Sequence, residues 1–211
     1  MTSLATLLTL SDSRLPTGGH VHSGGVEEAV TEGLVRDLAT LRAFLRRRIR
    51  TTGLVSASVA AAVHTGSLSV SQADHETDAR TPAPAARQAS RAQGRGLLRL
   101  ARRVWPAGNW DRFGATPHLA VVAGAVGAAG GLTSEGTALA VVYTTMTGSA
   151  TAAQRLLALD PGDVAALTFE LATLCDEMSA AACKELADLS DPLLDVLAQR
   201  HSQRERPLFA S

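Results

Sequence analysis

Ser134-Glu135-Gly136-Thr137-Ala138-Leu139-Ala140-Val141-Val142-Tyr143 begins a stretch that runs without proline to Leu159 and then meets Asp160-Pro161. Ser134 and Glu135 suit a helix start, and the small and apolar residues that follow predict one long helix through Leu159. Asp160-Pro161 reads as the N-cap and first residue of the next helix, because proline lacks only an N–H that has no partner there anyway. Asp191-Pro192 repeats that signature.

Working upstream, Pro117 can open a helix with a small-residue face at Gly124, Gly127 and Ala128, which predicts close helix packing. Trp105 to Thr116 is irregular. From Ala85, Leu97, Leu98 and Leu100 collect on a stripe beside Arg87, Arg91, Arg95, Arg99, Arg102 and Arg103, a basic amphipathic helix that ends before Pro106. Pro82-Ala83-Pro84 breaks the chain ahead of it, and Ser69 or Ser71 caps a polar helix running to Arg80. Leu54 to His64 is almost wholly small or apolar. It reads as a buried helix, or as a kinked continuation of the one before, stopped by Gly66. Asp37 caps that preceding helix, with Leu38, Leu41, Phe44, Leu45 and Ile49 on one face and Arg42, Arg46, Arg47 and Arg50 over the rest. A short first helix ends near Leu10. Leu15 to Gly25 is a glycine-rich loop in which Ser23 stands like an N-cap before Val26-Glu27-Glu28, and that helix stops near Gly33. No sustained period-two alternation occurs. The expectation is an all-α, single-domain bundle of about eight to ten helices over residues 1–211, with flexible N- and C-terminal segments and a tail at 199–211.

Composition narrows the function classes. Lys+Arg and Asp+Glu are both 20, so the summed field draws the chain neither to nucleic acid nor to an anionic membrane. Aromatic residues are only 3%, which removes most stacking platforms for single strands. Leu119 to Leu132 is shorter than the roughly 18 to 20 residues a membrane span needs. Met1 to Ser11 lacks a basic n-region and an unbroken apolar segment, so a cytoplasmic location is expected. Cys175 and Cys183 lie eight apart, about 12 Å along a helix, beyond the reach of a disulfide, and read as two reduced, buried thiols.

Motifs for chemistry are sparse. The Leu15–Gly25 loop carries neither a Walker Lys-Ser/Thr pair nor a GxGxxG fingerprint, and reads as a shaped loop for protein contact rather than a nucleotide cradle. His20 and His22 form His-x-His, yet His64, His75, His118 and His201 are scattered and supply no third ligand at fixed spacing. Polar loop histidines, or a weak metal contact at a partner interface, both fit. No nucleophile elbow, zinc helix or aspartate-rich motif is present, so neither catalytic residue nor cofactor is expected. The arginines suit a solvated, internally paired face or protein docking, with a helical DNA-binding regulator as the alternative.

Leu15-Pro16-Thr17-Gly18-Gly19-His20-Val21-His22-Ser23-Gly24-Gly25-Val26-Glu27 resembles the signature of the UreF family of urease accessory proteins, Pro-x-Gly-Gly-Phe followed by His or Tyr, Ser, Gly and Leu-Glu. Val35-Arg36-Asp37 with Leu41-Arg42, Gly94-Arg95 with Leu97-Leu98-Arg99-Leu100, Tyr143 and Arg155-Leu156 are similar to further family segments. The ending from His201 through Gln203, Leu208, Phe209 and Ser211 is similar to its His…Arg-Leu-Phe-x-Ser tail. His20 replaces the usual Phe, Asp160-Pro161 a Gly-Gln pair, and Pro207 the tail Arg, with Arg206 one place early. The resemblance implies an all-helical homodimer that binds UreD (also called UreH), recruits the GTPase UreG and helps deliver nickel to apo-urease. It implies partner contacts at Pro16, Gly18, Gly19, His22, Ser23, Gly24, Glu27, His201, Gln203, Leu208, Phe209 and Ser211, with Arg155 facing the UreG-binding assembly.

Overall fold

A computed structural model describes residues 3–17, 21–188 and 191–209, and among these all regular structure is helical. In order come α1 (Leu4–Leu10), α2 (Val26–Thr31), α3 (Leu38–Arg48), a π-helical turn (Ile49–Gly53), α4 (Leu54–Thr65), α5 (Val70–Ala79) and α6 (Pro84–Val104). Then follow α7 (Leu119–Ala129), α8 (Ser134–Leu157), α9 (Pro161–Glu170), α10 (Ala172–Ala182) and α11 (Pro192–His201). The π turn joins α3 to α4, and α9 meets α10 at Leu171, so the described residues form nine continuous helical bodies, as the all-α expectation has it. No helix among them is long and apolar enough to cross a membrane.

Local chemistry accounts for most of the boundaries. Asp37 with Thr40 and Ser69 with Gln72 form reciprocal capping boxes, and Asp160 and Asp191 cap α9 and α11 ahead of prolines. Two starts differ from expectation. Gly25, left-handed at φ 86°, is the N-cap of α2, while the Ser23 hydroxyl only accepts a 3.4 Å bond from the Glu27 N–H. His118 rather than Pro117 is the N-cap of α7.

The core has two parts. One lies among α2, α3, α8, α9, α10 and α11, with Leu41, Leu45, Met146, Leu171 and Leu197 fully or almost fully buried. The other lies among α4, α5, α6 and α7 and takes in Trp110 and Phe113 from the irregular segment. Helix α4 feeds both, giving Ala57 and Ala61 to the first and Val59 and Val63 to the second. A helix apolar on every side can satisfy its surface only by such central placement. Its crossing with α7 is close at Gly124, where an added Cβ would lie 2.4 Å from the Ala60 carbonyl oxygen. Cys175 is buried beside Met146, and burial pushes its thiol up to about 11. Cys183 is exposed, contrary to the expected second buried thiol, because it ends α10 where the chain turns out of the core.

Candidate functional site

The loop and the tail, far apart in sequence, meet at Glu27. Gly24 and Gly25 take φ of 63° and 86°, a turn that a Cβ would strain, and so launch α2 with Glu27 in its first turn. Glu27 points inward at the end of α11, its side chain 3% exposed. Its carboxylate accepts from His201 Nε2 at 2.7 Å, from the Leu208 N–H at 2.8 Å and from the Phe209 N–H at 3.0 Å. A carboxylate only accepts, so His201 carries its proton on Nε2. Burial alone would raise the Glu27 pKa, but the Leu208, His201 and Phe209 donors outweigh it and hold the group below its ordinary value. Arg204 adds bonds to Glu28 (3.1 Å) and the Thr31 hydroxyl (2.7 Å), and Arg200 pairs with Glu32 at 3.2 Å. The tail is thus stitched along α2. The Phe209 ring closes it, buried under the Arg155 guanidinium at 5.6 Å.

A groove of about 350 Å³ runs beside this junction, walled by residues of the first loop, α4, α6, α7, α8 and α11. Arg48, at the end of α3, reaches into it and donates from Nη1 to the Gly24 carbonyl at 2.7 Å. Its Nε–H has no acceptor among the described residues, and desolvation pushes the guanidinium down to about 10. A Cβ on Gly24 would lie 2.4 Å from Arg48 Nη2, so a larger residue there would displace the guanidinium. Ser149 of α8 secures the same turn by donating to the Ser23 carbonyl at 3.1 Å. On the groove wall, Asp191 caps α11 through the Leu193 N–H (3.1 Å) and forms a short ion pair with Arg47. Its side chain is 4% exposed, so Asp191→Ala is expected to cost about 1–2 kcal/mol in urea unfolding, the loss of a cap together with a partly buried pair.

The structure brings Ser23, Gly24, Glu27, Arg155, His201, Leu208 and Phe209 into one region. Ser23, Glu27, His201 and Phe209 are buried within the chain, so they hold the junction from inside. Pro16, Arg155, Gln203 and Leu208 are exposed, Leu208 at 79%, and His22 is half-buried against the groove. Gly18, Gly19, His20 and Ser211 lie outside the described residues. The carbonyl of Pro16 and the backbone of Thr17 sit against Gly96 of α6, so the loop is also seated on the basic helix. Of the expected tail, residues 199–201 belong to α11, and Leu208 and Phe209 are tied down by the bonds to Glu27.

Sequence reasoning passed over Arg48, Arg204 and Ser149. A signal existed for Arg48. It follows Leu41, Phe44 and Leu45 by seven, four and three positions, which puts it on the apolar face of α3 and not with the outward arginines.

Elsewhere, Asp74 and Asp78 of α5 and the fully buried His118 form the one three-ligand group among the described residues. Arg91 answers both carboxylates, at 2.9 and 2.7 Å, while His118 Nε2 meets Asp78 at 2.9 Å and Nδ1 meets Ser90 at 3.0 Å. Desolvation lowers the His118 pKa despite these acids. With a guanidinium supplying the positive charge, the cluster works as an ion-pair network joining α5, α6 and α7. Arg87 and Arg102 likewise pair with Asp78 and Asp111. Three of the six arginines on α6 are therefore engaged with the chain's own acids rather than free for a phosphate backbone.

A sequence model of the UreF family matches residues 35–172. The chain is 77% identical to the urease accessory protein UreF of Mycolicibacterium vanbaalenii, with all of both chains covered. The chain belongs to the UreF family. It is also 71% identical to the UreF of Mycobacterium marinum and 68% identical to that of Mycobacterium tuberculosis, again over the full length of each. The family match starts at Val35 and ends at Ala172, so the loop and the tail that meet at Glu27 lie outside it and are covered instead by the full-length UreF relatives.

Proposed function

We propose that the chain serves urease maturation as a binding component without chemistry of its own: it assembles with UreD (UreH) and the GTPase UreG and supports GTP-dependent nickel insertion into apo-urease. Nickel is cargo in this reading, and the chain acts in the cytoplasm as a homodimer. The convergence of the glycine-rich loop and the tail on Glu27 carries the proposal, because it turns two remote segments into one continuous surface. Glu27, His201, Ser23 and Phe209 position that surface, and Pro16, His22, Gln203, Leu208 and Arg155 present it. Arg155, its guanidinium stacked on the Phe209 ring, is of a residue type enriched at interface hot spots, and Leu208 adds exposed apolar surface next to that ring. The names of the relatives, urease accessory protein UreF, support the pathway.

The test is co-expression of the tagged chain with UreD and UreG. The intact chain is expected to co-purify with both, and removal of residues 202–211 to weaken UreD capture by about tenfold or more, the scale of losing a hot spot. Leu208→Ser is expected to reproduce part of that loss with the fold intact. A complex unaffected by the truncation would sink the proposed use of the tail.

A further inference from the structure

Arg48 is a half-buried cation that the fold leaves without a counter-charge among the described residues. Other arginines show what the chain does elsewhere: Arg47 is paired with Asp191, Arg80 with Glu76, and Arg91 with Asp74 and Asp78. Arg48 forms no ion pair among the described residues. One Nη1 N–H is used on the Gly24 carbonyl, and Nε–H meets no acceptor among the described residues. The acids that line the same groove are engaged: Asp12 is held by Arg14, Asp191 by Arg47, and Asp195 accepts from the Ala83 N–H. Arg48 is half-buried with its Nε fully withdrawn from water, a costly place for a charge without a counter-charge, and a chain that needed only to tie down Gly24 could do so with a neutral donor.

The groove around it has the form of a small-ligand site. Its volume of about 350 Å³ is in the usual range for one. Val55, Val59, Leu97 and Ala152 supply apolar wall, and Thr145 and Thr151 of α8 supply hydroxyls. Gly148 leaves part of that wall bare, since a Cβ there would meet nothing within 4 Å.

We propose that Arg48 anchors a carboxylate-binding site in this groove, taking a carboxylate carried on a short aliphatic stem. The planar guanidinium fork suits a carboxylate, which lies across two N–H groups at once, and the apolar wall suits the stem. A free monocarboxylate and a glutamate side chain from a docked polypeptide share this chemistry. His22, Gly24, Arg155 and Phe209 line the same groove, but the proposal does not rest on the assembly role, and its test needs the full-length chain alone.

The side-chain Nε–H resonance of Arg48, assigned by its disappearance in Arg48→Lys or by through-bond connectivity in the wild type, is followed at constant ionic strength. The probes are butyrate, N-acetylglutamate amide, the neutral isostere butyramide, and sodium chloride. Saturable movement with butyrate or N-acetylglutamate amide, but with neither control, is expected, and the tighter of the two identifies the source. Arg48→Lys, which has no Nε–H to follow, is read from the backbone amides of Gly24 and Thr145 and is expected to bind about tenfold more weakly, because an ammonium cannot make the two-point contact. No movement with either carboxylate, or equal movement with butyramide or chloride, overturns the proposal and leaves Arg48 as a strut for Gly24. The wild-type titration decides the matter even if the lysine variant does not fold.

Discussion

Glu27→Ala is expected to destabilise the chain by about 3–5 kcal/mol, the scale of leaving several buried donors without an acceptor. The loss is large because one carboxylate serves three donors at once: His201 Nε2 and the N–H groups of Leu208 and Phe209. Each would be left without an acceptor in a region where His201 is 2% and Phe209 9% exposed. Glu27→Gln keeps the shape but has one acceptor oxygen and turns an NH2 toward a donor, so a smaller loss of about 1.5–3 kcal/mol is expected. Urea unfolding measures both. Limited proteolysis is expected to show cleavage near Gln203 rising in step, as Leu208 and Phe209 lose their tether.

The same carboxylate gives the tail a pH dependence of defined sign. Its folded pKa lies below the ordinary 4.5, so ionised Glu27 contributes stability above that value. The contribution is lost as pH falls through the lower, folded value. Wild-type stability is therefore expected to drop on acidification below about pH 4.5. In Glu27→Gln that part of the drop is absent.

The second large effect is a pair of opposite outcomes from one chemical change. Alanine is worth about 1 kcal/mol more than glycine in a helix interior, so Gly→Ala is stabilising where there is room. At Gly148 of α8 nothing lies within 4 Å of the new Cβ, and Gly148→Ala is expected to gain about 0.5–1 kcal/mol. At Gly124 of α7 the new Cβ would lie 2.4 Å from the Ala60 carbonyl oxygen and 2.8 Å from Val63 Cβ. The first of these is backbone, so α4 and α7 must part. Because α4 belongs to both halves of the core, the separation is felt in each. Gly124→Ala is expected to lose about 3 kcal/mol despite its better propensity. Thermal melts that moved in the same direction for the two variants would contradict this account of the α4–α7 crossing.

The helical class and most helix limits were legible because their causes are local. Asp37, Ser69, Asp160 and Asp191 cap their own helices, and Gly66 ends α4 in the left-handed conformation that glycine allows. Ser23 misled because it has the residue type of a cap, while two following glycines move the turn past it to Gly25. The site was legible only as two segments, and through resemblance more than composition. Periodicity shows a glycine-rich loop and a polar tail, but the bond between Glu27 and His201 spans 174 positions, and no local pattern reports it. Burial was hidden for a related reason. Glu27 and Glu28 have the chemistry of an exposed first turn and become buried only because α11 and the tail cover them. Arg48 was lost within Arg46-Arg47-Arg48, where a run of charge looks solvated until each residue is placed by helical phase.

The claim that the two ends form one surface held by Glu27 is tested most directly by amide hydrogen exchange at Leu208 and Phe209 in the full-length chain at neutral pH. Both amides are expected to be protected well beyond that of Glu205, and to lose that protection in Glu27→Gln while the amides of α8 keep theirs. Exchange at Leu208 and Phe209 as fast in the wild type as at Glu205 would show that the tail is not held on Glu27, and would contradict the account.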